Sequence, residues 1–417
     1  MNNLKSLRKI GFSKLTLLED ALKKLNSYIK PTPSEESETS KSLNRILANN
    51  IISELDIPPF DRSAMDGYAV RAEDTFGASQ TNSKIFKKVG TSEIGEQSDI
   101  FVKNGEAVRI STGAAIPIGA DSVVKIEDTE IIDKEITVYA SIVPGKNISK
   151  AGEDISRGTE VLNAGVTIKS SHIALLSSLG FRKISVKKKT EVSVFAVGDE
   201  LIEVGNILPK NKIYNSNSPM VSNLVETYGG KVIREFSLAD NKDEIKRNLI
   251  TASKDSQVII FTGGTSVGTK DFLPEVMQEN GVVLVHGIAM RPGSPILIGL
   301  IEQTLVFCLP GTPVAAYICF LMIVGPTVRK IMGSLIEDPR SELIAIINRD
   351  VPVSRLGYKH FLRVKIEKQE SKFLANPVKL KGSGIISSLT QSDGIVEISE
   401  DKEGLKKGEK VKVYLYP

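Results

Sequence analysis

Four short segments carry residues suited to holding anions or cations rather than to filling a core. VGDEL (197–201) places Asp199 and Glu200 after an apolar run, and SLAD (237–240) ends on Asp240. FTGGTSVGTKDF (261–272) sets Gly263, Gly264 and Gly268 among Ser266 and other small hydroxyl residues and closes on Asp271. CLPGTPVAA (308–316) is the fourth. Glycines let backbone N–H groups crowd a phosphate, and a helix starting nearby adds partial positive charge. The loop lacks the Gly-Lys-Ser/Thr ending of a Walker A motif. Each of Asp199, Glu200, Asp240 and Asp271 has an alternative reading as a cap or solvated end, Asp271 as a helix N-cap. Together, as oxygen donors, they suit a hard cation such as Mg²⁺ that keeps waters for a phosphate substrate.

Further along, HGIAMRPGSP (286–295) offers Arg291 beside a Pro-Gly turn, and its planar fork suits a phosphate or an oxyanion. The three histidines, His172, His286 and His360, have no partner at metal-ligand spacing and read as structural. Cys308 and Cys319 lie in one apolar stretch, with no Cys-x-x-Cys pattern and no disulfide framework, as expected in a reducing cytoplasm. PPFDRSAMDGYAV (58–70) puts Asp61 and Asp66 around a Ser-Ala-Met step and follows neither helical nor strand periodicity.

Elements must gather these residues. The chain has 417 residues, which on size alone suggests roughly two to four domains. Its 54 Lys+Arg against 50 Asp+Glu leave +4, too little for a nucleic-acid footprint. The first 25 residues are basic and amphipathic without an apolar signal-peptide core, and the apolar run at 314–325 is too short for a bilayer. A cytoplasmic protein binding neither nucleic acid nor membrane is expected. Helical spacing predicts a helix over 14–30, a Pro/Ser/Glu-rich loop at 31–40 and a second helix near 41–49. From 58 to 149, runs such as IFKKVG, EAVRIST, SVVKIED and EITVYASIV read as short strands, followed by the helical SSHIALLSSLG.

After residue 191 strands alternate with helices: EVSVFAVG, helix 218–229, KVIREFSLA, helix 241–253, SQVIIFTGG, helix 271–280, TLVFCLPG and helix 312–325. This order implies a mostly parallel sheet covered on both faces. Residues 337–417 are strand-rich. The predicted organisation is multidomain α/β plus β: 1–57 with 150–190 as a discontinuous helical, elongated domain; 58–149 as a strand-rich insertion; 191–336 as a three-layer α/β domain; 337–417 as a small β-barrel-like domain. In an open parallel sheet, ligands bind beyond the strand carboxyl ends, which is where the four loops fall.

In order, PPFDRSAMDGYAV, STGAAIPIGADSVV (111–124), GKNISKAGEDI (145–155), GDEL (198–201), YNSN (214–217), TGGTSVGTKD (262–271), RPGSP (291–295) and PGTPVAA (310–316) resemble the molybdopterin molybdenumtransferase family, related to the C-terminal domain of gephyrin. The resemblance extends over nearly the whole chain after about residue 10. It implies a molybdopterin-binding α/β fold in an elongated four-domain homodimer. The activity it implies is Mg²⁺-dependent insertion of molybdate or tungstate into adenylylated molybdopterin with release of AMP. The upstream adenylyltransferase is an implied partner.

Matched residue by residue, the resemblance assigns Asp66, Glu200, Asp240 and Asp271 to catalysis, the last three also to the metal. It assigns Thr112, Gly263, Gly264, Ser266, Gly268, Arg291, Pro310, Pro313, Arg363 and Ser383 to substrate binding. Asp66 is then expected to act across the dimer interface. Gly287 and Ser294 stand where many members carry lysine, which shifts anion binding toward Arg291. Two alternatives stand beside this reading. The Gly-rich loop also suits a molybdopterin adenylyltransferase, against which the N-terminal 190 residues and the C-terminal β-domain argue. A gephyrin-like scaffold is the other, against which the retained carboxylates argue.

Overall fold

The computed structural model describes residues 15–96, 99–264, 272–378 and 382–417. The chain divides into two compact units: the described parts of Met1–Ala48, Gly165–Ser170 and Lys183–Pro417, and those of Asn49–Ala164 and Ser171–Arg182.

The first unit is built on a six-stranded sheet in the order Lys231–Leu238, Glu191–Val197, Val258–Thr262, Thr304–Leu309, Leu297–Ile301, Val282–His286. Leu297–Ile301 alone runs opposite to the other five strands, which are parallel to one another. Val258–Thr262 and Thr304–Leu309 are buried along their whole length, as continuous apolar runs between two covered faces should be. Alternate side chains enter opposite cores. Val194, Ile260 and Phe307 join one cluster, with Val221 and Leu224 of the helix Asn217–Thr227 and Val314 to Cys319 of the helix Pro313–Cys319. Phe195, Ile259, Phe261 and Val306 join the other, with residues of the helices Lys242–Ala252 and Leu273–Asn280. Asn241 caps the first of those two helices, its side chain accepting from the Glu244 N–H at 3.0 Å.

Helical structure continues from Pro313 through a π turn at Phe320–Val324 to Ile331. This 19-residue segment is long and apolar enough to cross a membrane by length and composition, and 78% of its best window is buried inside the protein.

Five strands of the same unit close into a barrel. Lys359–Gln369 pairs with Lys372–Pro377, then Glu342–Ile347, Lys410–Leu415, Gly394–Ile398 and back to Lys359–Gln369. Closure removes the free sheet edges and encloses Ala345, Ile347, Val364, Val396 and Val413. The two-residue strand Met290–Arg291 runs parallel to Lys359 and His360, which bonds the turn carrying Arg291 directly to the barrel.

Three local expectations change. The helix expected over 14–30 contracts to Leu18–Asn26, burying Leu18, Ala21 and Leu25. The expected loop at 31–40 contains a strand, Ser34–Glu38, antiparallel to Lys183–Lys187. Its polar side chains gave no apolar alternation, yet pairing needs only backbone groups and a partner edge. No helix forms near 41–49: Thr39–Lys41 is a 3₁₀ turn, and Ile46 and Leu47 are buried in extended backbone, bridged to Thr167 and Val186.

The second unit holds a six-stranded sheet in the order Ser122–Lys125, Gly67–Val70, Glu106–Ile110, Lys84–Ser92, Glu135–Val138, Thr129–Ile132. The last four residues of PPFDRSAMDGYAV are therefore an inner strand. Tyr68 and Val70 enter one apolar cluster and Ala69 another, so both faces are buried and no polar alternation announces the strand.

Candidate active site

Because the first four strands are parallel, their carboxyl ends deliver four loops to one edge of the sheet. Asp199 and Asp240, which follow two neighbouring strands, hold each other through the backbone. The Asp199 N–H donates to Asp240 Oδ2 at 3.2 Å, and the Asp240 N–H donates to Asp199 Oδ1 at 3.1 Å. Lys212 Nζ donates to the Asp199 carbonyl, and the Ile213 N–H donates to the Glu200 carbonyl at 2.9 Å. These bonds lock the backbone of GDEL against the strand edge.

The third loop begins with Gly263 at φ +93°, where a Cβ would lie 2.4 Å from the Val197 carbonyl oxygen. Only glycine fits both the conformation and the space. The fourth loop, Pro310-Gly311-Thr312, passes directly against it. Asn217 Nδ2 donates to the Gly311 carbonyl at 2.8 Å, tying this turn to the start of the helix Asn217–Thr227.

The barrel supplies the opposite side. Arg363 is on Lys359–Gln369, 6% exposed, and burial pulls its guanidinium below the ordinary arginine value, with Tyr416 opposing that shift. The Val314 N–H donates to the Ser383 carbonyl at 3.1 Å, so the first turn of the helix Pro313–Cys319 carries the loop that presents Ser383. Arg291 donates from Nη1 to Ser354 Oγ at 3.1 Å and lies over the Tyr358 ring. The turn after Arg291 needs Gly293 at φ +115°, since a Cβ there would lie 2.6 Å from Cys319 Sγ.

One cleft of about 1160 Å³ is lined by Glu200, Asp240, Gly263, Gly264, Arg291, Pro310, Arg363 and Ser383. Pro313 is the first residue of the helix behind Thr312. Ser266, Gly268 and Asp271 lie outside the described residues. Asp66 and Thr112 are in the second unit and touch each other, the Thr112 N–H donating to Asp66 Oδ1 at 2.9 Å. Asp61 of the same segment is engaged locally. It takes Lys150 Nζ at 2.6 Å and the Ala151 N–H at 2.8 Å, which together hold its carboxyl below the usual range.

Ser294 bonds within its own turn, its hydroxyl donating to the Met290 carbonyl at 2.6 Å. Gly287 is left-handed at φ +86°. Cys308 and Cys319 are free and fully buried, which pushes both thiols up and makes them packed core groups. His286 is pulled down by burial. Glu200 and Asp240 are the described carboxylates that line the cleft, and among the described residues no three His, Cys, Asp or Glu side chains are grouped to hold a metal. The cleft thus pairs hard oxygen donors at the sheet edge with guanidinium and hydroxyl donors on the barrel side, an arrangement suited to a polyanionic ligand.

Sequence reasoning missed three contributors. Asn217 falls within the quoted YNSN segment without a role, and its amide bond to Gly311 has no sequence signal beyond that. Ser354 and Tyr358 belong to a polar turn of the barrel about 60 residues from Arg291, and nothing local links them to the site.

Comparison with known families matches residues 16–180 to the MoeA N-terminal region (domain I and II), 193–330 to a probable molybdopterin binding domain, and 350–416 to the MoeA C-terminal region (domain IV). A putative molybdopterin biosynthesis protein of Methanocaldococcus jannaschii is 37% identical, covering 99% of this chain and 97% of that protein. A molybdopterin molybdenumtransferase of Staphylococcus aureus is 33% identical, covering 95% of each. The crystal structure of the molybdopterin biosynthesis moeA protein from Pyrococcus horikoshii OT3 superposes with a TM-score of 0.85 at 34% identity, over 97% of this chain and 100% of that one.

Proposed function

The chain belongs to the MoeA family, and from that premise we propose that it is a molybdopterin molybdenumtransferase of molybdenum cofactor biosynthesis that works in the cleft described above. The observation that carries this reading is the meeting of Glu200 and Asp240, at the sheet edge, with Arg291, Arg363 and Ser383 from the barrel side of one cleft. The substrate is adenylylated molybdopterin, and molybdate is the metal source. Loop amides of Gly263 and Gly264 and the guanidinium of Arg291 hold phosphate oxygens. Arg363 and the Ser383 hydroxyl bind the oxyanion.

Glu200, Asp240 and Asp271 would hold Mg²⁺, which would supply charge neutralisation at the phosphoanhydride and make AMP a better leaving group. No protein nucleophile is required. The residues work by positioning and by presenting charge where it develops. The reading includes a cytoplasmic homodimer, the four segments drawn from the sequence as its domains, and Asp66 and Thr112 as further site residues.

Reconstitution with adenylylated molybdopterin tests the activity. AMP release that depends on molybdate or tungstate is expected, and the comparison of the two anions assigns the physiological one. Adenylylation of molybdopterin from Mg-ATP without metal transfer would sink the reading and favour the adenylyltransferase alternative. Mixing Asp66→Ala and Asp271→Ala chains tests where Asp66 acts. A mixed dimer regains about half the activity if the two residues serve one site from different subunits, because one site then carries both lesions and the other none. If both act from one subunit, each site carries one lesion and activity stays lost.

A further inference from the structure

Tyr358 is shared by two arginines. The guanidinium carbon of Arg291 lies 4.9 Å from its ring centroid and that of Arg355 lies 5.1 Å from the same centroid. The Arg291 guanidinium and the Arg355 backbone are each held by a hydrogen bond. Arg291 is bonded to Ser354 Oγ at 3.1 Å, and the Arg355 carbonyl accepts from His360 Nε2 at 2.8 Å. None of the ion pairs among the described residues includes Arg291 or Arg355, whereas the adjacent Lys359 faces Glu19 and Glu400. Two cations gathered on one ring repel each other, and the ring's negative face offsets only part of that cost. A dianion in contact with both guanidinium groups offsets it. Ser354 and Arg291 also line the cleft, so this pair sits at its edge rather than elsewhere on the barrel.

We propose that Arg291, Tyr358 and Arg355 form an anion subsite on the rim of the cleft for a tetrahedral oxyanion, whether free or as the phosphate monoester of a nucleotide. The proposal rests on the reading of the cleft as a phosphate and oxyanion site and adds Arg355 and Tyr358 to it. Arg291 lines the cleft. Arg355 is exposed and draws the anion in, while the aromatic ring sets the direction of both guanidinium groups.

The test measures direct binding of tungstate and, separately, of AMP to the full-length chain by isothermal titration calorimetry, with no pterin present. Arg355→Gln is expected to weaken binding about tenfold, the loss of one charge-assisted contact. Tyr358→Leu should weaken it similarly, and Tyr358→Phe, which keeps the ring, should restore it. Weakening confined to AMP assigns the subsite to a phosphate monoester, and weakening confined to tungstate assigns it to the free oxyanion. Equal affinity in wild type and Arg355→Gln, or no binding of either probe to wild type, overturns the proposal. Unchanged thermal melting of Arg355→Gln, expected for an exposed side chain, excludes misfolding, and Arg355→Lys should recover part of the affinity if charge is what matters. Binding that responds to Arg355 while molybdenum transfer fails would sink the function and leave the subsite standing.

Discussion

The proposed mechanism gives the Asp240 side chain a second role beside a structural one, and a single substitution separates them. Its Oδ2 accepts the Asp199 N–H, a role that an amide oxygen can also fill. Asp240→Asn should therefore fold like wild type and lose the negative charge alone. We expect at least about a tenfold fall in AMP release and a higher Mg²⁺ requirement, the loss of one hard oxygen ligand. Wild-type Mg²⁺ dependence would remove Asp240 from the metal set. Gly263 presents the opposite case, since its role is conformational. Gly263→Ala forces a Cβ to 2.4 Å from the Val197 carbonyl oxygen at φ +93°. Urea unfolding should show a loss of about 2 kcal/mol or more, from clash and left-handed strain together. An unchanged midpoint would show that the strand end yields freely.

The segment 58–70 is pinned by Asp61 more than by Asp66. Lys150 and the Ala151 N–H depress the Asp61 carboxyl, so this contact contributes stability above the ordinary carboxylate pKa and loses it as pH falls through the lower folded value. The stability difference between wild type and Asp61→Asn should accordingly be largest near neutral pH. It should shrink once pH drops below about 4, the usual range for aspartate. Thermal melts from pH 7 down to pH 3 check this, and a gap that widens toward acid would contradict it. Asp61 is partly exposed, so the whole effect should stay at or below about 1 kcal/mol.

Whether an element shows in the sequence depends on what buries it. Strands of the α/β sheet declared themselves as apolar runs between helices, because burial on both faces leaves a long unbroken signal. Ser34–Glu38 did not, because its reason for being a strand is the edge of Lys183–Lys187, about 150 residues away. Ile46 and Leu47 have helix-compatible spacing but are buried by strand-like bridges, a tertiary preference that overrides local propensity.

Across the molecule, Arg340 joins the parts that make the cleft. It follows the helical segment that ends at Ile331, forks onto Asp338, reaches Met322 Sδ at 3.5 Å and covers the Tyr414 ring of the barrel at 5.0 Å. Its side chain is fully buried. Asp338→Ala leaves that guanidinium without its carboxylate and should cost about 2 kcal/mol in chemical denaturation, less than a wholly buried pair because Asp338 is partly exposed. Replacing both residues, Asp338→Ala with Arg340→Met, should restore much of the loss, since the unpaired guanidinium is gone and Glu397 keeps Lys359 as its cation. If the double variant is less stable than the single one, Arg340 stabilises through Met322 and the Tyr414 ring even without its carboxylate.

By itself, the sequence determined the strand–helix alternation, and with it the gathering of the 198–200, 239–240, 263–264 and 310–312 loops at one sheet edge. Parallel strands all end on the same side, so loop position follows from element order. The family motifs, spread along the chain, were equally legible. Only the tertiary structure decided that Arg363, Ser383 and Ser354 line one cleft with those loops, that Tyr358 lies against Arg291, and that Asp66 meets Thr112. Those meetings depend on barrel closure, on Met290–Arg291 pairing with Lys359–His360, and on a sheet that joins Gly67–Val70 to Glu106–Ile110. Such contacts are made by backbone pairing between distant segments, and a local pattern of side chains carries no record of the partner.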